Sequence, residues 1–296
     1  MLTTPFTAEF LSQLEALRLR TRKEFLGSNT GTYSSPRRGT SLEFADYRRY
    51  APGDDLRYID WGIYARSDRL FIKVFRQEVD LFAYVFVDAS ASMSFPSRAE
   101  KFLPASHVAL ALSYVILANH DHVKLHLLQN GSAKASQFYR GRRRMRDCIE
   151  FTNAAVPGGS LDLASSLNDH LQRLRRPGKA ILISDFLMPA ASYQRGLNLL
   201  RAFNLDIVAI QVLSRYEVDP PFPRGSVTLI DSESQNEIKH QWSAGARREY
   251  QSKLAHHNLE IRSFCHQSGI HYSFYVTDRD LGEFVFATLP AIGLFK

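Results

Sequence analysis

The chain has few cysteines. Among its 296 residues only Cys148 and Cys265 carry thiols, and they lie far apart with no ligand spacing. A structural zinc site takes about four ligands, so none is expected, and two ordinary thiols suit a reducing compartment. Long apolar runs are also missing. The longest, "FLPASHVALALSYVILA" at 102–118, is interrupted by His107 and small polar residues and falls short of the roughly 20 apolar residues of a spanning helix. The N-terminus has no basic start followed by an apolar core, so it does not read as a signal peptide. A buried helix, no membrane span and a cytoplasmic protein are expected. There is no G-x-S-x-G and no P-loop, which removes the simplest esterase and nucleotidase readings. No internal repeat or low-complexity tract is found.

What is present is ordinary globular composition, 45% hydrophobic and 23% charged, with a net charge of +7. The length suits one large α/β domain with an accessory segment, or two small domains. The positive excess is clustered in "RLRTRKEF" at 18–25, "PRRG" at 36–39, "RGRRRMRD" at 140–147 and "RLRRPGK" at 173–179. Base-stacking platforms interleave aromatics with charge, and "RGRRRMRD" has only Tyr139 beside it. A solvated helix face is therefore expected there, an acidic partner is the next candidate, and nucleic acid is not expected.

Residues 7–26 read as a helix, with Phe10, Leu14 and Leu17 on one face, Thr7 as cap and Gly27 as stop. "GSNTGTYSSPRR" at 27–38 reads as a loop. Residues 39–80 alternate aromatic and charged residues closely, with a turn at "PGDD" and a strand at "RLFIKVFRQEVD". From 81 onward strands and helices alternate. Strands are expected at "LFAYVFVD", "HVKLHLLQN" (with "KASQFYR" beside it), "KAILISDF", "LDIVAIQVLS" and "IHYSFYVT". Helices are expected at 98–120, 142–152, 161–175, "YQRGLNLLRAF", 244–267 and 279–288, and a hairpin at "VTLIDSESQNEIKHQ" with its tip at "DSESQN". That order specifies a three-layer, doubly wound, mostly parallel α/β sheet with an N-terminal accessory segment. The domains are expected at 1–79 and 80–296.

The strand "LFAYVFVD" is apolar throughout and ends in Asp88, followed by "ASAS". In open α/β sheets ligands bind beyond the C-terminal strand ends, and alternate residues of an extended stretch point one way. Asp88, Ser90 and Ser92 thus offer one carboxylate and two hydroxyls at such an end, hard oxygen donors of the kind Mg²⁺ takes. "PGGSLD" offers Ser160 before a helix, and "ILISDF" offers Asp185 at another strand end. "DASAS" resembles the D-x-S-x-S motif of von Willebrand factor A domains, whose metal-ion-dependent adhesion site (MIDAS) binds Mg²⁺. A Thr on a second loop and an Asp after the next core strand complete that family's site. By position Ser160 and Asp185 take those places here, with Ser for Thr keeping the hydroxyl. The resemblance implies Mg²⁺, with Mn²⁺ as a substitute. His107, His120 and His122 have no spacing that brings them to the site and read as core or surface residues.

Upstream, "YRRYAPGDDLRYIDWGIYARSDRLFIKVFRQE" at 47–78 is very similar to the signature of the DUF58 family, which precedes a von Willebrand A-like domain in bacterial proteins. The resemblance spans about 39–285. Its signature residues here are Tyr47, Arg48, Tyr50, Pro52, Gly53, Asp54, Asp55, Arg57, Asp60 and Trp61. We read them as structural: an ion-pair and turn network, with Trp61 and Tyr50 as packing anchors onto the following domain. The family resemblance implies an adaptor or co-chaperone role beside MoxR-type AAA+ ATPases. The expected function is a non-catalytic, Mg²⁺-dependent protein-interaction module whose open metal position takes a partner carboxylate. The competing readings are a metal-dependent hydrolase using Asp88 and Asp185, and nucleic-acid binding by the basic face.

Overall fold

The computed structural model describes residues 6–20, 42–77, 81–129, 132–172, 174, 176, 178–233 and 235–295. In chain order the elements are α1 (Ala8–Glu15), β1 (Leu42–Arg49), α2 (Trp61–Ser67), β2 (Phe71–Gln77), β3 (Phe82–Asp88), α3 (Phe102–Ala118), β4 (His122–Gln129), β5 (Ser132–Ala135), β6 (Tyr139–Arg140), α4 (Met145–Asn153), α5 (Leu163–Leu171), β7 (Lys179–Ser184), α6 (Ala190–Ala202), β8 (Asp206–Leu213), α7 (Arg215–Val218), β9 (Gly225–Ile230), β10 (Glu237–Trp242), α8 (Ala244–Gln267) and β11 (His271–Val276). The expected helix at 279–288 is a helical turn at Leu281–Glu283, a wider π turn at Phe284–Thr288 and a final turn at Leu289–Ala291. Among the described residues no helix is long and apolar enough to cross a membrane.

The chain divides into two compact units, residues 1–24 with 81–296, and residues 25–80. This differs from the expected division at 79/80, because the N-terminal helix belongs with the large unit. Thr7 caps α1 through its hydroxyl, as expected, but the helix ends at Glu15 rather than near 26. Beyond it Leu19 bridges Phe295, Arg20 N–H donates to the Leu294 carbonyl and Asn119 donates to the Leu17 carbonyl. Tertiary pairing overrides the local helical period there. The "GSNTGTYSSPRR" loop and the "PRRG" run lie outside the described residues.

The large unit is the three-layer α/β sandwich that the element order specifies. Its sheet runs β11-β8-β7-β3-β4-β5, with β6 also on β4. β11, β8, β7, β3 and β4 are parallel, while β5 and β6 are antiparallel to β4. The chain leaves β3 for β4 on one side and later returns to β7 on the other, so the ends of β3 and β7 flank the switch point. β3 is buried along its whole length, as a central parallel strand covered on both faces must be. Its alternation divides the core: Ala83, Val85 and Val87 face the α3 layer, while Phe82, Tyr84 and Phe86 face the layer of Leu163, Leu197 and Ile261. α3 is buried on nearly all sides. This apolar helix lies in a core rather than a membrane, packed on β3, α1 and α4. At the N-terminal strand ends a buried Lys179–Asp206 pair, 2.7 Å apart, joins β7 to β8.

The smaller unit carries the signature. β1 and β2 pair antiparallel with an irregularity between Phe44 and Asp46. Ala51-Pro52-Gly53-Asp54 closes a turn with Gly53 at φ +103°, a conformation open to glycine. Asp54 takes both arms of Arg48 at 2.6 Å and the Ala51 amide. Asp55 holds Arg57 at 2.5 Å, and that hydrogen bond brings its carboxyl down to about 2. Asp60 caps α2 through the Ile63 amide, accepts from Tyr47 and pairs with Lys73, and is likewise held at about 2. The ion-pair and turn network is therefore present within the segment. Within this unit the Trp61 ring meets the edge of Tyr64. Tyr50 is half-buried, its amide bonded to the Leu70 carbonyl.

Two expectations follow. A methyl group on Gly178 would lie 1.9 Å from the Phe82 carbonyl oxygen, against backbone that cannot yield. Gly178→Ala should cost at least about 2 kcal/mol in urea unfolding; a loss below about 0.5 kcal/mol would contradict this β3–β7 approach. Asp60→Ala should lower the melting temperature by several degrees through the lost cap and the lost Lys73 pair; an unchanged melting temperature would contradict that role.

Candidate functional site

Asp88 is the last residue of β3 and is 1% exposed. Its Oδ1 accepts from the Ser90 amide at 2.9 Å, a local turn that bends the chain off the strand. Its Oδ2 accepts from the Ser184 hydroxyl at 2.5 Å. Ser90 and Ser92 share a hydrogen bond at 3.0 Å between their hydroxyls, and Ser92 donates to Asp185 Oδ2 at 2.7 Å. Asp185 follows β7 directly. Its Oδ1 accepts from the Leu187 amide, and Gln211 on β8 donates to its carbonyl. Phe186 turns the chain there at φ +55° with its ring fully buried, which fixes where Asp185 points.

The structure thus brings together four of the five residues expected at the site. The fifth, Ser160, lies at the exposed mouth. Its loop is joined to the first: Gly158 N–H donates to the Ala89 carbonyl, and Ala91 N–H donates to the Gly159 carbonyl. Of the histidines, His122 stacks on Phe82 at 4.5 Å and His107 packs edge-on against Phe6 at 6.1 Å. Both serve packing. His126, fully buried against Phe86, is held neutral well below its ordinary range by burial.

Sequence reasoning missed the group at the centre. Lys101, just before α3, is completely buried. Its ammonium donates to Asp185 Oδ2 at 2.7 Å, to Glu217 Oε1 at 2.5 Å and to the Ser92 carbonyl at 3.0 Å. Glu217 lies on α7, where it forms a capping box with Ser214 after β8. "SRYE" at 214–217 is a legible cap signal, but nothing local shows that its glutamate turns inward to a lysine 116 residues away.

The electrostatics leave buried negative charge in excess at the site. Burial alone would push Lys101 down, but the charges of Asp185 and Glu217 outweigh it and hold the ammonium charged. Burial raises Asp185 too, yet Lys101 more than reverses this, so Asp185 stays below its ordinary value. Glu217 remains raised, mainly by burial. Asp88 is pushed up to about 6, first by burial and then by the negative charge of Asp185. With all three carboxylates ionised, one ammonium leaves two buried negative charges uncompensated, which a low-dielectric interior does not tolerate.

A divalent cation is the group this charge fits. Among the described residues no three His, Cys, Asp or Glu side chains form a metal cluster. The donors present are two carboxylates and serine hydroxyls, hard oxygens suited to Mg²⁺ with waters filling its remaining positions. Asp88, Ser90, Ser92 and Asp185 would hold it, with Ser160 at the mouth.

The basic run at 140–147 is largely paired. Arg142 meets Glu15 at 3.0 Å, Arg144 meets Asp147 at 2.7 Å and stacks over Tyr139, and Arg146 meets Glu150 at 2.9 Å. This fits a solvated helix face.

Comparison with known proteins agrees with the signature. Uncharacterized proteins of Mycobacterium tuberculosis and Mycobacterium bovis are 28% identical to this chain over 272 residues, covering 90% of it and 84% of their own length. An uncharacterized protein of Mycobacterium avium is 31% identical over 132 residues, covering 45% of this chain and 76% of its own. Among solved structures, BatB of Bacteroides thetaiotaomicron aligns over 72% of this chain and 98% of its own at 12% identity and a TM-score of 0.42. A von Willebrand factor type A protein of Catenulispora acidiphila aligns over 75% and 43% at 13% identity and a TM-score of 0.41. The model of the family described as "Protein of unknown function DUF58" matches residues 46–260, and the chain belongs to that family.

Proposed function

We propose that this protein is a non-catalytic, Mg²⁺-dependent interaction module that captures a carboxylate of a partner protein, with a MoxR-type AAA+ ATPase as the partner class. The observation that carries the reading is the convergence of Asp88, Ser90, Ser92 and Asp185 at the switch point, with buried negative charge in excess. A cation there, held by few direct negative ligands, stays electrophilic enough to accept a further carboxylate.

The surroundings support a protein as the ligand. The loops that carry the site also carry exposed apolar side chains: Phe95 after the first loop, Val156 before the second, Leu187 after Asp185 and Tyr216 beside Glu217. Apolar groups around a polar anchor are the composition of a docking surface. The partner class rests on the family resemblance, and the cation on the site's own charge.

The test is calorimetric titration of Mg²⁺ and Mn²⁺ into the wild type, Asp88→Ala and Asp88→Asn, with circular dichroism confirming that the variants fold. Binding should be lost in both variants. The pH dependence has a definite sign. Asp88 is raised to about 6, so its charged form is disfavoured in the metal-free fold. Above pH 6 the cation relieves that penalty and raises the melting temperature; below pH 6 a proton takes the carboxylate first. Affinity should therefore fall about tenfold between pH 7 and pH 5. Equal binding by Asp88→Ala would reject the site. Phosphoester turnover abolished by EDTA and by Asp185→Ala would replace the module with a hydrolase.

A further inference from the structure

The end of the sheet opposite the candidate site carries a second cluster. β3 and β4 begin side by side there, with Phe82 paired to His122, and Arg140 of β6 pairs with His122 from the other side. Cross-strand partners share a face of a sheet, so Arg140, His122 and Phe82 form one row. The next row on that face sets Lys124 beside Tyr84. The Phe82 and His122 rings are stacked, 4.5 Å apart and nearly parallel. Phe138, just before β6, meets Phe82 edge-on at 5.4 Å and is 40% exposed.

Two of these rings have a cation over them. The Arg176 guanidinium lies 4.5 Å from the centre of the Phe82 ring, and the Lys124 ammonium lies 5.5 Å from that of Phe138. Arg176 is exposed, and its backbone is fixed because its carbonyl accepts from the Tyr84 hydroxyl at 3.0 Å. Arg140 is also exposed, its Nε donating to the His120 carbonyl at 2.7 Å. Two carboxylates at these strand ends are engaged within the fold: Asp121 Oδ1 accepts from the Leu81 amide, and Asp206 pairs with the buried Lys179. Sequence spacing pointed away from nucleic acid because the aromatics of a stacking platform stand beside its cations. The fold supplies those aromatics from separate segments: Phe82 opens β3, His122 opens β4 and Phe138 precedes β6, while Arg176 comes from the "RLRRPGK" run.

We propose that this rim binds single-stranded nucleic acid, with unpaired bases stacking on Phe138 and on the Arg176 guanidinium while Lys124 and Arg140 meet the phosphates. Aromatic rings and guanidinium planes both accept stacked bases, and here they alternate with the charges that a sugar-phosphate chain requires. An acidic protein would use the cations and leave the exposed ring idle. A duplex keeps its base faces to itself. The net charge of +7 favours the approach of a polyanion. The proposal is independent of the reading of the cation site, which lies beyond the other ends of the same strands.

The test is fluorescence anisotropy on the full chain with a labelled oligothymidylate or oligouridylate of about 15 nucleotides and a duplex of the same length, between about 50 and 200 mM salt. Wild type should bind the single strands at least about fivefold more tightly than the duplex. Phe138→Leu keeps the apolar packing but removes the ring face. It should weaken binding at least about fivefold without changing the salt dependence. Lys124→Gln should weaken binding and reduce the salt slope by about 0.7, the value of one phosphate contact on a single strand. Arg176→Gln should lose both stacking and charge. Arg146→Gln, which removes an equal charge from the exposed face of α4, should stay within about twofold of wild type. Circular dichroism confirms that each variant folds, and the surface variants Lys124→Gln and Arg176→Gln carry the test should Phe138→Leu fail to do so. No binding by wild type, or equal binding of duplex and single strand, overturns the proposal. So does an unchanged affinity in a folded Phe138→Leu, or a loss in Arg146→Gln as large as in Lys124→Gln, since overall charge would then account for the binding.

Discussion

The structure around the site depends on one buried ammonium. Lys101 contacts the loop after β3 through the Ser92 carbonyl, the loop after β7 through Asp185 and the turn after β8 through Glu217. Removing an ion from water costs several kcal/mol even after relaxation, and only close partners with good hydrogen bonds offset it. Three partners within 3.0 Å meet that condition for Lys101. The same geometry binds the C-terminal ends of β3, β7 and β8 into one rigid rim, on which Ser92 and Asp185 are held at hydrogen-bond distance.

Lys101 also divides the labour between the two aspartates. Asp185 keeps its charge because an ammonium sits on it, while Asp88 has only hydroxyl and amide donors and rises toward 6. Asp88 is therefore the carboxylate that a cation would most relieve, and Asp185 is the one already partly neutralised. A cation between them would meet less than two full negative charges, which favours acceptance of a third carboxylate over closure of the site.

The parts legible in the sequence were those written locally. β3 was legible because seven apolar residues run into an aspartate, and the order of apolar runs and helices specified the sheet. Asp88 and Asp185 were legible as strand ends; Ser90 and Ser92 reach them through a turn off β3 and a 3-10 turn at Ala91–Ser94 rather than through the period-two alternation expected of an extended stretch. Lys101 was not: a single lysine opening an apolar helix gives no sign of being pulled inward by carboxylates 84 and 116 residues further on. α1 was read too long because Leu17 continues the face of Phe10 and Leu14, while its carbonyl is taken by Asn119 and Leu19 bridges Phe295.

The hairpin shows the same division between local and long-range information. Its turn was legible from "DSESQN", but the packing of its base was not, since Trp242 meets Phe222 and Tyr250, which lie outside the hairpin. A site of this charge faces a physical difficulty. Left open, it would present an electrophilic cation, once loaded, to any passing carboxylate at an apolar rim. A partner carboxylate gains over weak, adventitious ligands by adding apolar contact around it. Discrimination then arises from the surface around the metal rather than from the metal itself, and the exposed Val156, Leu187 and Tyr216 are where that surface lies.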